Sequence, residues 1–132
     1  MPTTLESSPR ANDTWGWWEG RRLRYNIGLA IAGALAWVLF ALEIVAFQSV
    51  APSDEFYITL SLTLAQGLVW LVAMGVANLL FLLGPLSERV FKPTDRDAYR
   101  QRIYGLGFWA SMAVPFLFPA VVLIGILSTL GY

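Results

Sequence analysis

The chain of 132 residues contains no cysteine and no histidine. Without cysteine it can form no disulfide, no thiolate nucleophile and no cysteine-ligated metal or iron-sulfur cluster. Without histidine it lacks the commonest protein ligand of metals and the side chain that most readily transfers protons near neutral pH. We therefore expect no cofactor and no metal, and a catalytic site would have to be assembled from serine, aspartate and lysine.

Charge is also scarce and unevenly placed. Only 14 % of the residues are charged while 57 % are apolar, and the formal net charge is zero. The charged residues lie between long apolar blocks, which is not the distribution of a water-soluble domain. With no excess of positive charge, we expect no nucleic-acid partner.

Three apolar runs, residues 27–47, 56–83 and 103–130, are each long enough to cross a bilayer. A hydrocarbon core of about 30 Å needs about 20 helical residues. The first run contains one ionisable residue, Glu43. The link 48–55 is short, so the first two helices should lie antiparallel. The pattern predicts an all-α fold, an integral membrane three-helix bundle.

The segments outside the runs differ in character. Residues 1–14 have few apolar side chains and are predicted to be a mobile tail. Residues 15–26 combine tryptophan, arginine and tyrosine, which is typical of a segment at the level of the lipid headgroups. Residues 84–102 are rich in charge and are predicted to be an aqueous loop. Residues 15–132 would then form a single membrane domain.

Both ends of the second helix are marked in the sequence, one by a start signal and the other by a stop signal. Ser53 is a candidate N-cap, with Asp54 and Glu55 in the first turn where they face the positive end of the helix dipole. Gly84 can adopt a left-handed cap, and Pro85 cannot continue a helix. The second helix is therefore predicted to begin near residue 56 and to stop at this Gly-Pro pair.

The third helix has a start signal and a bend signal. Thr94 and Asp97 have the spacing of a capping box, so the helix is predicted to begin near Asp95 and to continue into the third apolar run. Pro115 and Pro119 lie within that run, and each removes a backbone donor. A kink is predicted there.

The cations indicate an orientation. All nine Lys and Arg residues lie before the first run or between the second and third. The positive-inside rule therefore predicts that the N-terminus and the loop 84–102 are cytoplasmic and that the C-terminus lies outside. Cations near a membrane surface can also bind anionic lipid headgroups, at about 1 kcal/mol each. The candidates for these two roles are Arg21, Arg22, Arg24, Arg89, Lys92, Arg100 and Arg102.

Small residues mark one face of the first run. At about 100° per residue, Gly28, Ala32 and Ala36 share a face, and Glu43 lies within about 60° of them. Small residues allow helices to approach closely, so this face should pack against another helix. Glu43 should then point into the protein and away from lipid.

Polar residues of the second run define two faces. Thr63 and Gln66 share one face, and Asn78 lies about 120° from Gln66. The antiparallel arrangement predicts a hydrogen-bonded cluster of Glu43, Thr63 and Gln66 near the outer leaflet. These three residues and Asn78 form a candidate intramembrane polar site. The alternative is that they hydrogen-bond between helices only to hold the bundle together.

The segment Trp18-Glu-Gly-Arg-Arg-Leu-Arg-Tyr-Asn-Ile-Gly-Leu29 resembles the opening of a group of uncharacterised small bacterial multi-pass membrane proteins. In that group such a segment precedes the first span. The resemblance covers twelve residues of the chain. It implies a location in the bacterial inner membrane and carries over no activity and no functional residue.

Three functions are compatible with these features. The favoured hypothesis is an accessory or interaction subunit of a membrane assembly, with membrane lipids and either further copies of itself or another membrane protein as partners. The alternative is an oligomeric ion or proton pathway that uses Glu43. An intramembrane enzyme is disfavoured, because no spacing groups a nucleophile with a base and no catalytic residue can be named.

Overall fold

A computed structural model describes residues 9–52 and 58–132, with side chains from Thr14 onward, and its regular elements are all helical. Three helical rods are long and apolar enough to span a membrane. Two of the rods are interrupted, the second at Leu82 and the third by a 3-10 turn. The elements are α1 (Pro9–Val50), α2 (Leu60–Phe81), α3 (Leu83–Phe91), α4 (Arg96–Ala113), the 3-10 turn (Val114–Phe116) and α5 (Leu117–Thr129).

The first rod, α1, lies at the centre of the packing. It contacts α4, the 3-10 turn and α5 along one side, and α2 and α3 along another. Its buried residues recur every three or four positions, as in a helix with one packed face. They include Trp18, Tyr25, Leu29, Ala32, Ala36, Phe40, Ile44 and Phe47.

The start of α1 corrects one prediction, that of the tail, and gives the conformation of the segment that follows it. A mobile tail is wrong from Pro9 onward, because α1 begins there and Thr14 is buried; residues 1–8 lie outside the described residues. The predicted headgroup-level segment 15–26 is helical throughout, and Trp18 and Tyr25 are buried in the protein core. Their rings pack on other helices, which explains why the helix extends well before the first apolar run.

The second helix begins later than predicted. Thr59 is the N-cap of α2, and its hydroxyl accepts a hydrogen bond from the Leu62 backbone N–H at 3.1 Å. The predicted cap Ser53 and the acids Asp54 and Glu55 lie outside the described residues. A helix capped at Thr59 needs no cap at Ser53.

The predicted stop at Gly84 and Pro85 is also wrong. The chain bends at Leu82, keeps a right-handed helical conformation there and continues as α3 to Phe91. Pro85 is the third residue of α3, where a backbone N–H has no partner within its own helix, so proline is tolerated. The predicted loop 84–102 therefore consists of α3, a short connection and the start of α4.

The start of the third rod is confirmed, but with a different cap. Asp95, not Thr94, is the N-cap of α4, and its carboxylate accepts a hydrogen bond from the Ala98 N–H at 3.1 Å. The predicted disturbance at Pro115 takes the form of a single 3-10 turn. The helical course then continues into α5, where Pro119 is buried.

The predicted packing face of the first run is confirmed. Ala32 and Ala36 are buried, and a Cβ at Gly28 would lie 2.9 Å from the Phe108 ring and 3.0 Å from the Met112 sulfur. At Gly28 this face packs against α4, and further along its length α1 contacts the 3-10 turn and α5, where the Phe40 and Phe118 ring centroids are 5.2 Å apart. Glycine and alanine thus allow the third rod to pack closely on α1.

Candidate functional site

A buried ion pair joins α3 to α4 at the charged end of the bundle, by which we mean residues 14–24 and 84–102. Glu88 and Arg100 are each only 3 % exposed. The Arg100 Nε lies 3.0 Å from both carboxylate oxygens of Glu88, and its Nη2 lies 2.8 Å from Oε1. Arginine and carboxylate planes match in such a paired geometry, which makes these hydrogen bonds strong.

Two side chains of α1 complete the coordination of the same carboxylate. The Trp18 indole Nε1 donates to Oε2 at 3.0 Å, and the Thr14 hydroxyl donates to Oε1 at 3.3 Å. Both α1 residues are buried and lie one helical turn apart. The Glu88 carboxylate therefore fastens α1, α3 and α4 at one point. We call Thr14, Trp18, Glu88 and Arg100 the clamp.

The clamp is enclosed by aromatic rings and by close backbone contact. The Trp17 ring lies edge-on to Trp18 at 5.0 Å, and the Arg100 guanidinium lies 5.6 Å from the Trp17 ring centroid. Gly84 of α3 lies directly against the Trp18 ring, since a Cβ there would be 2.5 Å from a ring carbon. An enclosed carboxylate that already accepts five hydrogen bonds from four donor groups has no capacity to bind a substrate, so the arrangement is structural in its chemistry.

A second polar network links all three rods next to the clamp. The Tyr25 hydroxyl donates to the Ala77 carbonyl at 3.2 Å and shares a hydrogen bond with the Ser111 hydroxyl at 2.7 Å. The side-chain amides of Asn26 and Asn78 donate to each other at 3.0 and 2.7 Å. Asn78 thus takes part in an interhelical amide bond.

The predicted hydrogen bonds of Glu43, Thr63 and Gln66 do not form. The Thr63 hydroxyl donates to the Thr59 carbonyl of its own helix. The Glu43 Oε2 and both amide atoms of Gln66 are buried without a hydrogen-bond partner.

The register of the hairpin explains why that cluster fails. Asn26 pairs with Asn78, and Gly33 lies against the Trp70 ring, so paired residue numbers sum to about 103. Glu43 is therefore level with the first residues of α2. Gln66 lies about six residues further along, which is about 9 Å at 1.5 Å per residue. That separation is too large for a direct hydrogen bond.

The candidate headgroup and topology residues divide by exposure into three groups, since Arg100 is buried, Arg21 and Arg22 are half-buried and the other four are exposed. Arg100 is buried in the clamp and is not available to lipid, which corrects its assignment to the headgroups. Arg21 stacks over the Trp17 ring at 3.5 Å, Arg22 pairs with Glu19 at 2.7 Å, and Arg89 lies 5.0 Å from the Trp15 ring. The exposed members are Arg24, Arg89, Lys92 and Arg102.

The sequence did contain a signal for the clamp that the predictions did not use. Thr14 and Trp18 continue the packed face of α1 at helical spacing toward the N-terminus. Trp18 and Glu88 are 70 positions apart in the sequence, so no local pattern could predict that they form a pair. Within the part of the chain that the structure describes, no three Asp or Glu side chains cluster as a metal site would require.

Comparison with other proteins adds no assignment. No known protein family, no curated protein and no solved structure matches this chain.

Proposed function

We propose that this protein is a subunit of the bacterial inner membrane that packs into a larger membrane assembly, with its charged end and N-terminus in the cytoplasm and its C-terminus outside. The distribution of the nine cations supports the orientation, because basic residues are retained on the cytoplasmic side. The resemblance of residues 18–29 to small bacterial membrane proteins supports the location. The partner is a second copy or another membrane protein.

The observation that carries the proposal is an unused glycine face on α2. Three glycines of the chain, Gly28, Gly33 and Gly84, lie against ring side chains and are explained by internal packing. By contrast, a Cβ at Gly67 or Gly75 of α2 would meet nothing within 4 Å, which is also true of helical glycines outside α2, namely Gly16, Gly20, Gly105, Gly107 and Gly125. A glycine inside a helix costs about 1 kcal/mol relative to alanine, so an unused one needs another reason.

Both glycines lie on one side of the least covered rod. Gly67 and Gly75 are separated by about 80° around α2, with the exposed Leu71 between them. Only Phe81 of α2 is buried. Small residues in membrane helices let a second helix approach closely, so this side of α2 is where a partner helix would pack.

The satisfied polar groups at the charged end support a packing role over a catalytic one. The clamp and the Tyr25 network use their donors and acceptors within the chain, and they fix the three rods relative to one another. A rigid bundle of this kind presents α2 to a partner in one orientation. The Thr14 hydroxyl that donates to the Glu88 carboxylate is buried inside the clamp, so this pair is not open to a substrate.

Co-purification from native membranes in a mild detergent tests the proposal. We expect the full chain to be recovered as a complex, either with a mass of two or more copies or with a second polypeptide. Gly67→Leu and Gly75→Leu should release the chain as a monomer, because each side chain would fill the space that the partner helix occupies. Native mass spectrometry reads out both results.

Ala65→Leu provides the matched control. Ala65 is exposed on α2 near the depth of Gly67, and it lies about 160° around the helix from Gly67 and about 120° from Leu71. This variant should keep the complex. A wild-type chain that is a monomer without bound protein would overturn the proposal, and so would glycine variants that assemble as the wild type does.

One observation favours a second candidate, an oligomeric ion or proton pathway. Glu43 and Gln66 each hold buried polar atoms without a partner. Unpaired polar groups at membrane depth commonly mark a path for ions or protons. Reconstitution into vesicles with a flux assay tests this candidate. Flux that Glu43→Gln abolishes would support it, and flux unchanged by that substitution would remove Glu43 from the mechanism.

A further inference from the structure

A lateral groove separates α2 and α3 from α4 at the charged end of the bundle. Its volume is about 410 Å³, within the range of small-molecule sites. Trp18 and Tyr25 of α1 contribute to its lining, Phe81 and Phe91 come from the α2 and α3 side, and Leu106 and Phe108 come from α4. None of these residues belongs to the glycine side of α2, so the groove is independent of the proposed subunit contact.

The lining suits a hydrocarbon chain and not a polar ligand. Five hydroxyl groups lie along the groove, but four of them are already paired with each other. Tyr99 donates to Ser87 at 2.9 Å, and Tyr25 shares its hydrogen bond with Ser111 at 2.7 Å. The fifth hydroxyl, that of Tyr104, is buried without a hydrogen-bond partner. A polar ligand would have to compete with the bonds of the other four. An acyl chain needs only the apolar rings.

The groove also crosses the boundary between the apolar run and the charged segment. One end lies at Ser111, inside the third apolar run, and the other end lies at Phe91 and Tyr99, among the charged residues. A phospholipid has the same division along its length, with acyl chains in the hydrocarbon core and a phosphate at its surface. The groove therefore matches the depth at which a phospholipid sits.

Charge at the open end selects the kind of phospholipid. Residues 89–102 carry four exposed cations and two exposed acids, while Arg100 is paired with Glu88. Lys92 directly follows Phe91, and Arg102 is one turn from both Tyr99 and Leu106 on α4. Basic pockets between membrane helices bind anionic headgroups. The exposed acids are Asp95, the N-cap of α4, and Asp97, which is 3.8 Å from Arg100.

We propose that this groove binds one acyl chain of an anionic glycerophospholipid, with the phosphate held by Lys92 and Arg102. The full chain is delipidated in detergent and titrated with phosphatidylglycerol, and bound lipid is read by native mass spectrometry. Phosphatidylcholine with the same acyl chains and inorganic phosphate are titrated in parallel. Phosphatidylglycerol should bind more tightly than phosphatidylcholine. Inorganic phosphate should not displace the bound lipid.

Two glycines of α4 provide a variant and its control. Gly107 lines the groove, and a Cβ there would meet nothing within 4 Å, so Gly107→Leu fills the space without a clash. Gly105 also has open space around its Cβ but does not line the groove. Gly107→Leu should abolish the bound lipid, while Gly105→Leu should bind as the wild type does.

Charge substitutions test the headgroup contact separately. Lys92→Gln and Arg102→Gln should each weaken phosphatidylglycerol binding by about fivefold, since one cation near a membrane surface contributes about that much. Each should weaken phosphatidylcholine binding less, because the choline cation of that lipid offsets the charge of its phosphate. Equal binding of the two lipids, binding that survives Gly107→Leu, competition by inorganic phosphate, or a second copy of the chain in place of lipid would each overturn the proposal.

Discussion

The Glu88 carboxylate is the residue on which the arrangement of the helices depends most. It receives donors from α1 and α4 while belonging to α3, and it is almost entirely buried. Removing an ion pair from water costs several kcal/mol per charge, and that cost is recovered only when both partners are in place. The clamp therefore stabilises the fold only when all its members are present, and the loss of one member of the ion pair should destabilise it.

Replacing one member of the ion pair should destabilise the fold strongly. Glu88→Gln leaves the Arg100 guanidinium buried without its counter-charge, which costs about 3–5 kcal/mol of unfolding free energy. Arg100→Met should cost a similar amount. Chemical denaturation in detergent, followed by tryptophan fluorescence, measures both. The double variant should lose less than the sum of the two single losses, because no buried charge then remains unpaired.

The exposed pair of Glu19 and Arg22 provides the control for that prediction. Its side chains are 49 % and 36 % exposed. Exposed pairs contribute about 0–1 kcal/mol, so Glu19→Gln should leave the unfolding free energy almost unchanged. A loss at Glu88 no larger than the loss at Glu19 would contradict the structural role of the clamp.

Gly84 is predicted to tolerate no side chain. A Cβ at this position would lie 2.5 Å from the Trp18 ring, and a ring buried in the core cannot move aside. Gly84→Ala should therefore lower the thermal unfolding temperature. Gly20→Ala should leave it unchanged or raise it, because that helical glycine has open space and alanine favours a helix by about 1 kcal/mol. Equal effects of the two substitutions would rule out the close approach of Trp18 and Gly84.

At the scale of elements, the α1–α2 hairpin contains one side-chain amide with a hydrogen-bond partner on the other helix and one without a partner. Asn78 is paired with Asn26, whereas both amide atoms of Gln66 are buried without a partner. A buried unpaired polar group costs about 1–3 kcal/mol. The two amides therefore contribute to stability with opposite signs.

Substitutions of these two amides by leucine should change the unfolding free energy in opposite directions. Gln66→Leu should raise the unfolding free energy in detergent by about 1 kcal/mol, since it removes an unpaired amide and keeps the side-chain volume. Asn78→Leu should lower it by about 0.6 kcal/mol or more, because Asn26 then loses its partner. If Gln66→Leu lowers the unfolding free energy instead, the Gln66 amide must form a hydrogen bond, which contradicts the arrangement described above.

Local patterns predicted the rods but not what joins them. Apolar runs, the short link and the face of Gly28, Ala32 and Ala36 gave the number of rods, the hairpin and the packing side of α1. The predicted helix end at Pro85 was wrong because sequence alone does not distinguish a proline in the first turn of a new helix from a proline that follows the end of the preceding helix. The tail was wrong because contacts of Thr14 and Trp18 with Glu88 outweigh weak local propensity.

The intramembrane site was predicted less well than the fold. The antiparallel arrangement of the hairpin alone placed Glu43 near Gln66, whereas the actual register depends on long-range pairs such as Asn26 with Asn78. Those pairs cannot be deduced from periodicity within one helix. The clamp is a similar case, since its four residues come from three separate segments of the sequence.

At the scale of the whole molecule, three rods are fastened at one end and less enclosed elsewhere. The clamp and the tyrosine and asparagine networks lie at or next to the charged end. Most of α2 carries exposed apolar side chains. Lipid or a partner helix must cover that surface, as expected of a bundle that works inside a membrane assembly.

The central claim is that three rods cross the membrane with the charged end inside the cell, and site-directed cysteine labelling tests it most directly. Because the chain contains no cysteine, Thr94→Cys and Tyr132→Cys each introduce a single reactive thiol. With a membrane-impermeant maleimide, Tyr132→Cys should label in intact bacterial cells and Thr94→Cys only after lysis. Labelling of Thr94→Cys in intact cells, or of both positions from the same side, would contradict the account.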